Sequence, residues 1–490
     1  MSTITQRDAL VADLEHIVGK DAVFTRPADL LVYEYDGSVD GAVETAAPAA
    51  VALPTTAQQI SAIVLLARKH GLPVVARGAG TGLSGGAVPQ QGGIIVGLTR
   101  MNRILEIDRE DRTALVEPGV INLELSEETI PHGFFFAPDP SSQKACTIGG
   151  NVAENSGGPH CLKYGVTTNH ILGLEVVLPD GRIIWTGGRA AGASGYDLTG
   201  AMVGSEGMLG IVTKGLVRLT PTPEATLVLL APFADIESAS QATSNVIAAG
   251  IVPAALEMMD NLTIQAVEPA YHAGYPMDAG AVLLIEIDGI AADVRDTGEE
   301  IARICLAAGA TEVRTATSKP ERELLWKGRK MALGAMGRLA PNYYLHDTVV
   351  PRSKLPATLR RVEEISRDFK LPIANVFHAG DGNLHPLMLF DRRVGGSTER
   401  VLEASKEIIT YCVEVGGALS GEHGIGTEKR GYMTLVYTAD DLAAMAGLKN
   451  SFDPAGMFNP EKLFPKGYMC GEVRALRMQA MAQKLGIHAL

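Results

Sequence analysis

The chain reads as an α+β protein made of two unlike halves, and three observations carry that reading. Between residues 225 and 378, short runs of strand formers alternate with amphipathic helical stretches three times over. Upstream, residues 51–219 hold short apolar runs separated by clusters of glycine. Late in the chain, Gly380-Asp381-Gly382-Asn383 interrupts two apolar runs, which is the chemistry of a hairpin turn. A length of 490 residues is more than one core can absorb, so roughly two to four domains are expected.

The elements follow in order. Residues 1–48 form a helical lead-in that ends in an Ala/Pro-rich connector. From Val51 the pattern is strand, helix, strand. Thr55 and Thr56 offer an N-cap, an amphipathic helix runs to His70, Gly71 stops it, and a strand returns over residues 73–76. A Gly-rich loop, a strand near residues 94–98 and a run of short strands lead to Leu219, where Pro221 and Pro223 mark a break. Three β-α-β units come next, over residues 225–258, 281–315 and 345–378, and antiparallel pairing is expected of them. A helix near residues 399–416 follows, and the tail after Gly467 reads as helical. The breaks divide the chain into residues 1–48, 49–222, 223–415 and 416–490.

Composition removes several classes. A net charge of −13 with no long basic run argues against a nucleic-acid partner. The five cysteines are scattered without C-x-x-C spacing, which fits reduced thiols in a cytoplasmic protein and argues against an iron–sulfur or Cys-type zinc site. The acidic N-terminus does not read as a secretory signal. No window approaches about 18 consecutive apolar residues, so no transmembrane segment is expected.

Residues 77–86 read R-G-A-G-T-G-L-S-G-G. A Rossmann turn would open directly into a helix and a P-loop would close on Lys-Ser/Thr; this loop does neither. Strand, Gly-rich loop and strand instead suit a nest of backbone N–H groups around a pyrophosphate. Further glycine clusters at 149–150, 157–158, 165 and 204–207 suggest a long polar ligand rather than one phosphate.

If residues 380–383 form the hairpin loop, Ala379 opposes Leu384 and His378 opposes His385. The histidine Cβ atoms would then lie roughly 5 Å apart on one face. Two neutral imidazoles so placed can chelate a divalent metal at about 2.1 Å each. Ser420-Gly421-Glu422-His423-Gly424-Ile425-Gly426 adds a carboxylate and a third imidazole in a Gly-rich turn. Glu422 and His423 are neighbours, so both reach one site only if the chain bends there. His132, His160 and His170 read as structural.

The ordered motifs R-G-A-G-T-G-L-S-G-G, P-D-P-S, T-I-G-G-N-V-A-E-N-S-G-G, Y-G and G-S-E-G-M-L-G-I-V-T resemble the FAD domain of vanillyl-alcohol-oxidase-type flavoproteins. H-A-G-D-G-N-L-H, S-G-E-H-G-I-G and F-D-P-x-G-M-F-N-P-E-K-L-F narrow the resemblance to FAD-linked 2-hydroxy acid dehydrogenases. These include glycolate oxidase, D-lactate dehydrogenase and D-2-hydroxyglutarate dehydrogenase. Trp326-Lys327-Gly328-Arg329-Lys330 and the stretch 337–344 look most like the flavin subunit of bacterial glycolate oxidase.

That resemblance implies a two-part FAD-binding domain over 49–222, an α+β substrate (cap) domain with antiparallel sheet over 223–415, and a C-terminal segment, 416–490, that completes the active site. Arg77, Gly78, Gly80, Thr81, Gly82, Ser84, Gly85 and Gly86 would cradle the pyrophosphate. Thr147, Gly149, Gly150, Asn155 and Gly158 would line the flavin, with Pro138, Asp139, Asn151, Gly157, Tyr164 and Gly165 among the cofactor contacts. Glu206, Gly207 and Ile211 would hold the adenine half, and Asn459 and Lys462 would return to the flavin edge. No His matches a covalent flavin linkage, so non-covalent FAD is expected.

The implied reaction oxidises a 2-hydroxy acid, with FAD taking the hydride. His378, His385 and Glu422 would hold a divalent metal, zinc by ligand type with manganese or iron also suited. His423 would be the general base, and Arg329 would capture the substrate carboxylate. The absence of Lys from residues 342–347, around His346, favours a small monocarboxylate such as glycolate or D-lactate over D-2-hydroxyglutarate. Glycolate-oxidase-type subunits imply a second flavoprotein and an iron–sulfur subunit at the inner membrane face. A metal-dependent hydrolase would leave the glycine clusters without a task, and a non-catalytic FAD-binding subunit would have no use for Glu422-His423.

Overall fold

The computed structural model describes residues 3–38, 45–190 and 195–466, and the helical reading of the tail lies outside them. The helix Ala57–His70 forms as expected: Thr56 Oγ1 accepts the Gln59 N–H, and Gly71 ends the helix at φ +64. Its face of Ile60, Ile63, Val64 and Ala67 packs with Leu10 and Leu14 of the N-terminal helix Thr3–Val18. These helices cover a four-stranded sheet in the order Val23–Phe24, Ala50–Ala52, Ile94–Gly97, Val74–Arg77. Its last three strands are parallel, because helix Ala57–His70 makes the crossover.

A five-stranded antiparallel sheet follows, ordered Ile104–Asp108, Thr113–Val116, Ile211–Arg218, Ile171–Val177, Ile183–Gly187. The sequence suggests only short strands through this region, yet residues Ile148–Glu154 form a helix. Two glycines in its first turn hide it from propensity reasoning. Thr147 nonetheless caps it, accepting the Gly150 N–H at 3.3 Å. Gly149 is fixed by packing: a methyl there would sit 2.6 Å from Pro118 Cβ.

The second half is a nine-stranded antiparallel sheet, counted among the described residues. Alternation along its strands feeds two cores. Leu229, Ala231 and Phe233 meet Leu283 and Ile285 under helices Ile236–Ala248, Ala291–Ala307 and Leu355–Phe369. Val228 and Leu230 meet Val282 and Leu284 on the other face, under helices Asn261–Tyr271 and Lys319–Lys330. The run expected as one strand over 345–350 is split. Asn342–Leu345 pairs with Pro386–Phe390, and Thr348–Val349 pairs with Asn383–Leu384. Asp347 at the break thereby turns to the 420–423 loop, while His346 is buried beside Tyr344. After helix Ala439–Phe452 the chain returns to the first sheet, where Asn459 donates its N–H to Val74. The buried Lys449 fixes that return by donating to Asp453 Oδ2 at 2.5 Å and to the carbonyls of Met208 and Phe458. No helix among the described residues is long and apolar enough to cross a membrane.

Phe233 is fully buried in the larger core. Its replacement by Ala should cost about 3–5 kcal/mol, read as an earlier unfolding transition in urea followed by circular dichroism.

Candidate active site

The Gly-rich loop, the Thr147 turn and the large sheet enclose a cavity of about 400 Å³. Gly78, Gly80, Thr81, Gly82 and Gly86 form one wall, and Thr147, Gly149, Gly150 and Asn151 a second. Glu206 and Gly207 close the first half's side, while Arg329, His385, Glu422 and His423 face them from the other. Close approach explains the glycines. A methyl on Gly78 would lie 2.4 Å from Thr147 Oγ1, whereas at Gly82 and Gly207 it would meet nothing nearer than 3.9 Å and project into open space. Bare backbone facing a long cleft fits a dinucleotide cofactor such as FAD.

Other residues expected to touch the cofactor stand behind this wall and hold it. The Arg77 guanidinium folds back to the Val32 carbonyl and over the Tyr33 ring. Ser84 accepts from Thr427 N–H, and Gly85 turns at φ +80. Asn459 Nδ2 donates to the carbonyls of Gly86 and Glu206, and Lys462 donates to Val88. The Pro138 carbonyl accepts from Asn122, and Asn155, in the left-handed region, accepts from Thr168 N–H. Gly158 turns against Asp139, and Gly165 against Asn169. Ile211 is buried in the core beside the first sheet. Asp139 and Tyr164 reach toward the second half instead: Asp139 bonds His160 and Lys330, and Tyr164 donates to Asp288 at 2.6 Å. His160 therefore spans the two halves, with Asp139 at 2.9 Å and Glu286 at 3.3 Å. Burial opposes its charge, but the two carboxylates prevail and push it up to about 10.

The hairpin corrects the expected register. Asn383, not His385, opposes His378, so the loop is residues 379–382, and the pair Ala379–Leu384 does not form. The turn closes early because Asp381 accepts the Asn383 N–H and Gly382 takes φ +80. The slip is two residues, and side chains alternate with a period of two, so both histidines keep the same face. They are diagonal neighbours with ring centroids 5.1 Å apart.

Around them lie two acids that the sequence reading missed. Glu257, directly across from His378 on the next strand, accepts from His378 Nδ1 at 2.8 Å and pairs with Arg329 at 2.6 Å. Burial opposes ionisation of Glu257, but His378 and Arg329 keep its pKa below the ordinary value. His378 Nε2 faces Glu422 Oε1 at 3.1 Å, and His385 Nε2 lies 3.4 Å from the same oxygen. Despite burial, His378 and His385 hold Glu422 down to about 2.

Asp347, fully buried, accepts the Ser420 hydroxyl at 2.6 Å and the N–H groups of Gly421, Glu422 and His423. That wrapping, with Gly424 at φ +86, bends the chain as the sequence required. Glu422 turns to the histidines, while the His423 ring stacks on His385 with centroids 5.0 Å apart. Burial pushes His423 down to about 4, so it is a neutral imidazole at pH 7. The Gly424 N–H goes to Ser420 Oγ at 2.9 Å, and Glu206 takes up those of Ile425 and Gly426 at 2.8 Å each. Its carboxylate is thus occupied within the protein, whereas the sequence reading assigned it to adenine. Arg329 is buried with one end of its fork on Glu257 and its Nε free of partners among the described residues.

A glycine cradle for a dinucleotide that opens onto a His/carboxylate cluster defines a flavin-linked oxidoreductase. Residues 48–187 match the FAD binding domain family, and residues 222–463 match the C-terminal domain of FAD linked oxidases. The chain belongs to the FAD-linked 2-hydroxy acid dehydrogenases. It is 46% identical over 475 residues to the glycolate oxidase subunit GlcD of Escherichia coli (strain K12), covering 97% of this chain and 94% of that one. GlcD of Bacillus subtilis (strain 168) is 44% identical, with 90% of this chain and 93% of the relative covered. D-lactate dehydrogenase of Archaeoglobus fulgidus is 35% identical, with 85% and 91% covered. The fold is that of p-cresol methylhydroxylase, with TM-score 0.78 at 18% identity over 94% of this chain and 97% of that one. The enzyme is accordingly an FAD-linked oxidoreductase acting on 2-hydroxy acids.

Gly80 adopts φ +70, and a methyl there would lie 2.2 Å from the Arg77 guanidinium. Gly80→Val should therefore yield folded protein with most of its FAD lost, read as the ratio of flavin to protein absorbance after gel filtration.

Proposed function

We propose that the enzyme oxidises a short 2-hydroxy acid, glycolate or D-lactate, to the 2-oxo acid, with a divalent metal held by His378, His385 and Glu422 and with His423 as base. One observation carries the metal. With Nδ1 on Glu257, the Nε2 of His378 faces a carboxylate, and that contact requires a proton or a cation between them. His385 Nε2, buried beside the same carboxylate, makes no hydrogen bond to a described residue. The three ligand atoms lie within 4.8 Å of one another. Glu257 is the outer partner that fixes the tautomer of a ligating imidazole.

Non-covalent FAD, when bound, supplies the hydride acceptor, and the metal, zinc by ligand type with manganese or iron also suited, supplies Lewis acidity. His423, neutral and stacked at the edge of the cluster, takes the substrate hydroxyl proton at a ring nitrogen. Arg329 supplies positive charge for the substrate carboxylate through the part of its fork that Glu257 leaves open. Leu333, Leu345 and Val376 on the cavity wall exclude water from the reacting carbon. The relatives named as glycolate oxidase subunits support the presence of partner subunits, and the partners we propose for onward electron transfer are a second flavoprotein and an iron–sulfur protein. The proposed setting is the cytoplasm, with peripheral attachment to the inner membrane face through those partners.

Anaerobic glycolate or D-lactate should bleach the flavin band near about 450 nm, while D-2-hydroxyglutarate should do so poorly. Bleaching by the dicarboxylate alone would overturn the substrate reading. His423→Ala should slow bleaching roughly 10²–10⁴-fold with FAD retained, whereas Glu422→Ala should also empty the chain of metal by elemental analysis. A metal-free wild-type enzyme with undiminished bleaching would sink the metal assignment.

A further inference from the structure

Glu154 ends the Ile148–Glu154 helix and lines the cofactor cavity, yet no step above uses it. Its Oε2 is shielded from solvent and has no hydrogen-bond partner among the described residues. The carboxyl group is held from two sides by bare backbone. A methyl on Gly86 would lie 2.4 Å from its Oε1, and one on Gly424 would lie 2.4 Å from its Oε2. The same methyl on Gly424 would also come within 3.0 Å of Glu206 Oε1, so the two acids meet at that glycine.

They are not equivalent. Glu206 receives two backbone N–H groups, the environment of a carboxylate. Glu154 receives none that would stabilise its charge. Burial, then the neighbouring Glu206, raises Glu154 well above the ordinary carboxyl range, so the proton of the pair resides on Glu154. A neutral acid has one O–H to donate. On the protein side, Glu206 turns its oxygens to the Ile425 and Gly426 N–H groups and makes no hydrogen bond to Glu154 Oε2, and Gly86 and Gly424 offer no side chain. The remaining direction is the cavity, which Glu154 lines.

We propose that Glu154 is a flavin-contacting hydrogen-bond donor, its carboxylic O–H directed at an acceptor atom of the bound FAD. The proposal depends on FAD binding alone and stands apart from the metal reading. A donor to an atom that gains negative charge on reduction stabilises the reduced flavin more than the oxidised one, so Glu154 raises the flavin midpoint potential as well as FAD affinity.

The test compares wild-type holoenzyme with Glu154→Gln, which keeps a neutral donor, and Glu154→Leu, which removes it. FAD release on dilution is followed by flavin fluorescence, and the midpoint potential by equilibration with a redox dye. Glu154→Gln should stay close to wild type in both. Glu154→Leu should bind FAD about fivefold more weakly and have a more negative potential. Wild-type values in Glu154→Leu would overturn the proposal. So would a loss in Glu154→Gln as large as in Glu154→Leu, since an acceptor would then be at work. Should Glu154→Leu fail to fold, the infrared difference spectrum of flavin reduction decides. A carboxylic-acid C=O band present in wild type and missing from Glu154→Gln supports the assignment, and identical spectra overturn it.

Discussion

The buried carboxylate of Asp347 is the constraint on which the site depends. A charge with no solvent exposure must have its lone pairs filled. Here they are filled by the Ser420 hydroxyl, three consecutive backbone N–H groups and the Lys429 ammonium at 3.2 Å. Wrapping three N–H groups around one acid turns residues 421–423 out of extended geometry, and that turn puts neighbouring side chains on one site. Glu206 repeats the device on Ile425 and Gly426 from the other half of the molecule. The 420–426 loop thus hangs between a carboxylate of the large sheet and one beside the glycine cradle. The distance from cofactor cleft to histidine cluster is set by two acids whose oxygens take up the loop's backbone N–H groups.

A second set of charges fixes how the halves meet. Lys163 and Tyr164 converge on Asp288, and His160 bridges Asp139 and Glu286. Trp326 donates to Glu286, and Lys330 pairs with Asp139. Trp326, Arg329 and Lys330 share one helix, so the clasp that joins the halves also orients the helix that presents Arg329. Apolar packing could hold the halves together, but it would slide; directional bonds at several points along the seam do not.

Much of this was readable in the chain, for reasons that differ by residue. The helix Ala57–His70 announces itself through Thr56 and Gly71, and the cradle through glycines that only close backbone approach explains. The shared face of His378 and His385 was legible although their register was not, because a two-residue slip preserves the face. Glu257, Asp347 and Glu154 were not legible. Each is a single acid in a strand, a strand break or a helix end; the hydrogen-bond partners of Asp347 and Glu257 come from 73 to 121 residues away, and Glu154 is held by glycines. Asp347 was further disguised, since a continuous strand over 345–350 would have turned it from its neighbours. Arg329 was expected as a free fork; its partner Glu257 is distant in sequence, so its burial could not be foreseen.

His385 belongs to two potential donor sets, one with His378 and Glu422 and one with Asp347 and His423. Its Nε2 is nearly equidistant from the two acids, 3.4 Å from Glu422 and 3.5 Å from Asp347. Distance therefore does not choose between them, but lone-pair occupancy does. Asp347 is already surrounded by donors and a lysine, and a cation there would have to displace Lys429 or meet its charge. Among the described residues, Glu422 Oε1 is approached only by imidazole nitrogens, one of which has its tautomer fixed by Glu257. Within the proposed mechanism the division of labour follows from this. The cation is held on the Glu422 side, and His423, attached to the saturated acid by its backbone, keeps its ring free to accept a proton.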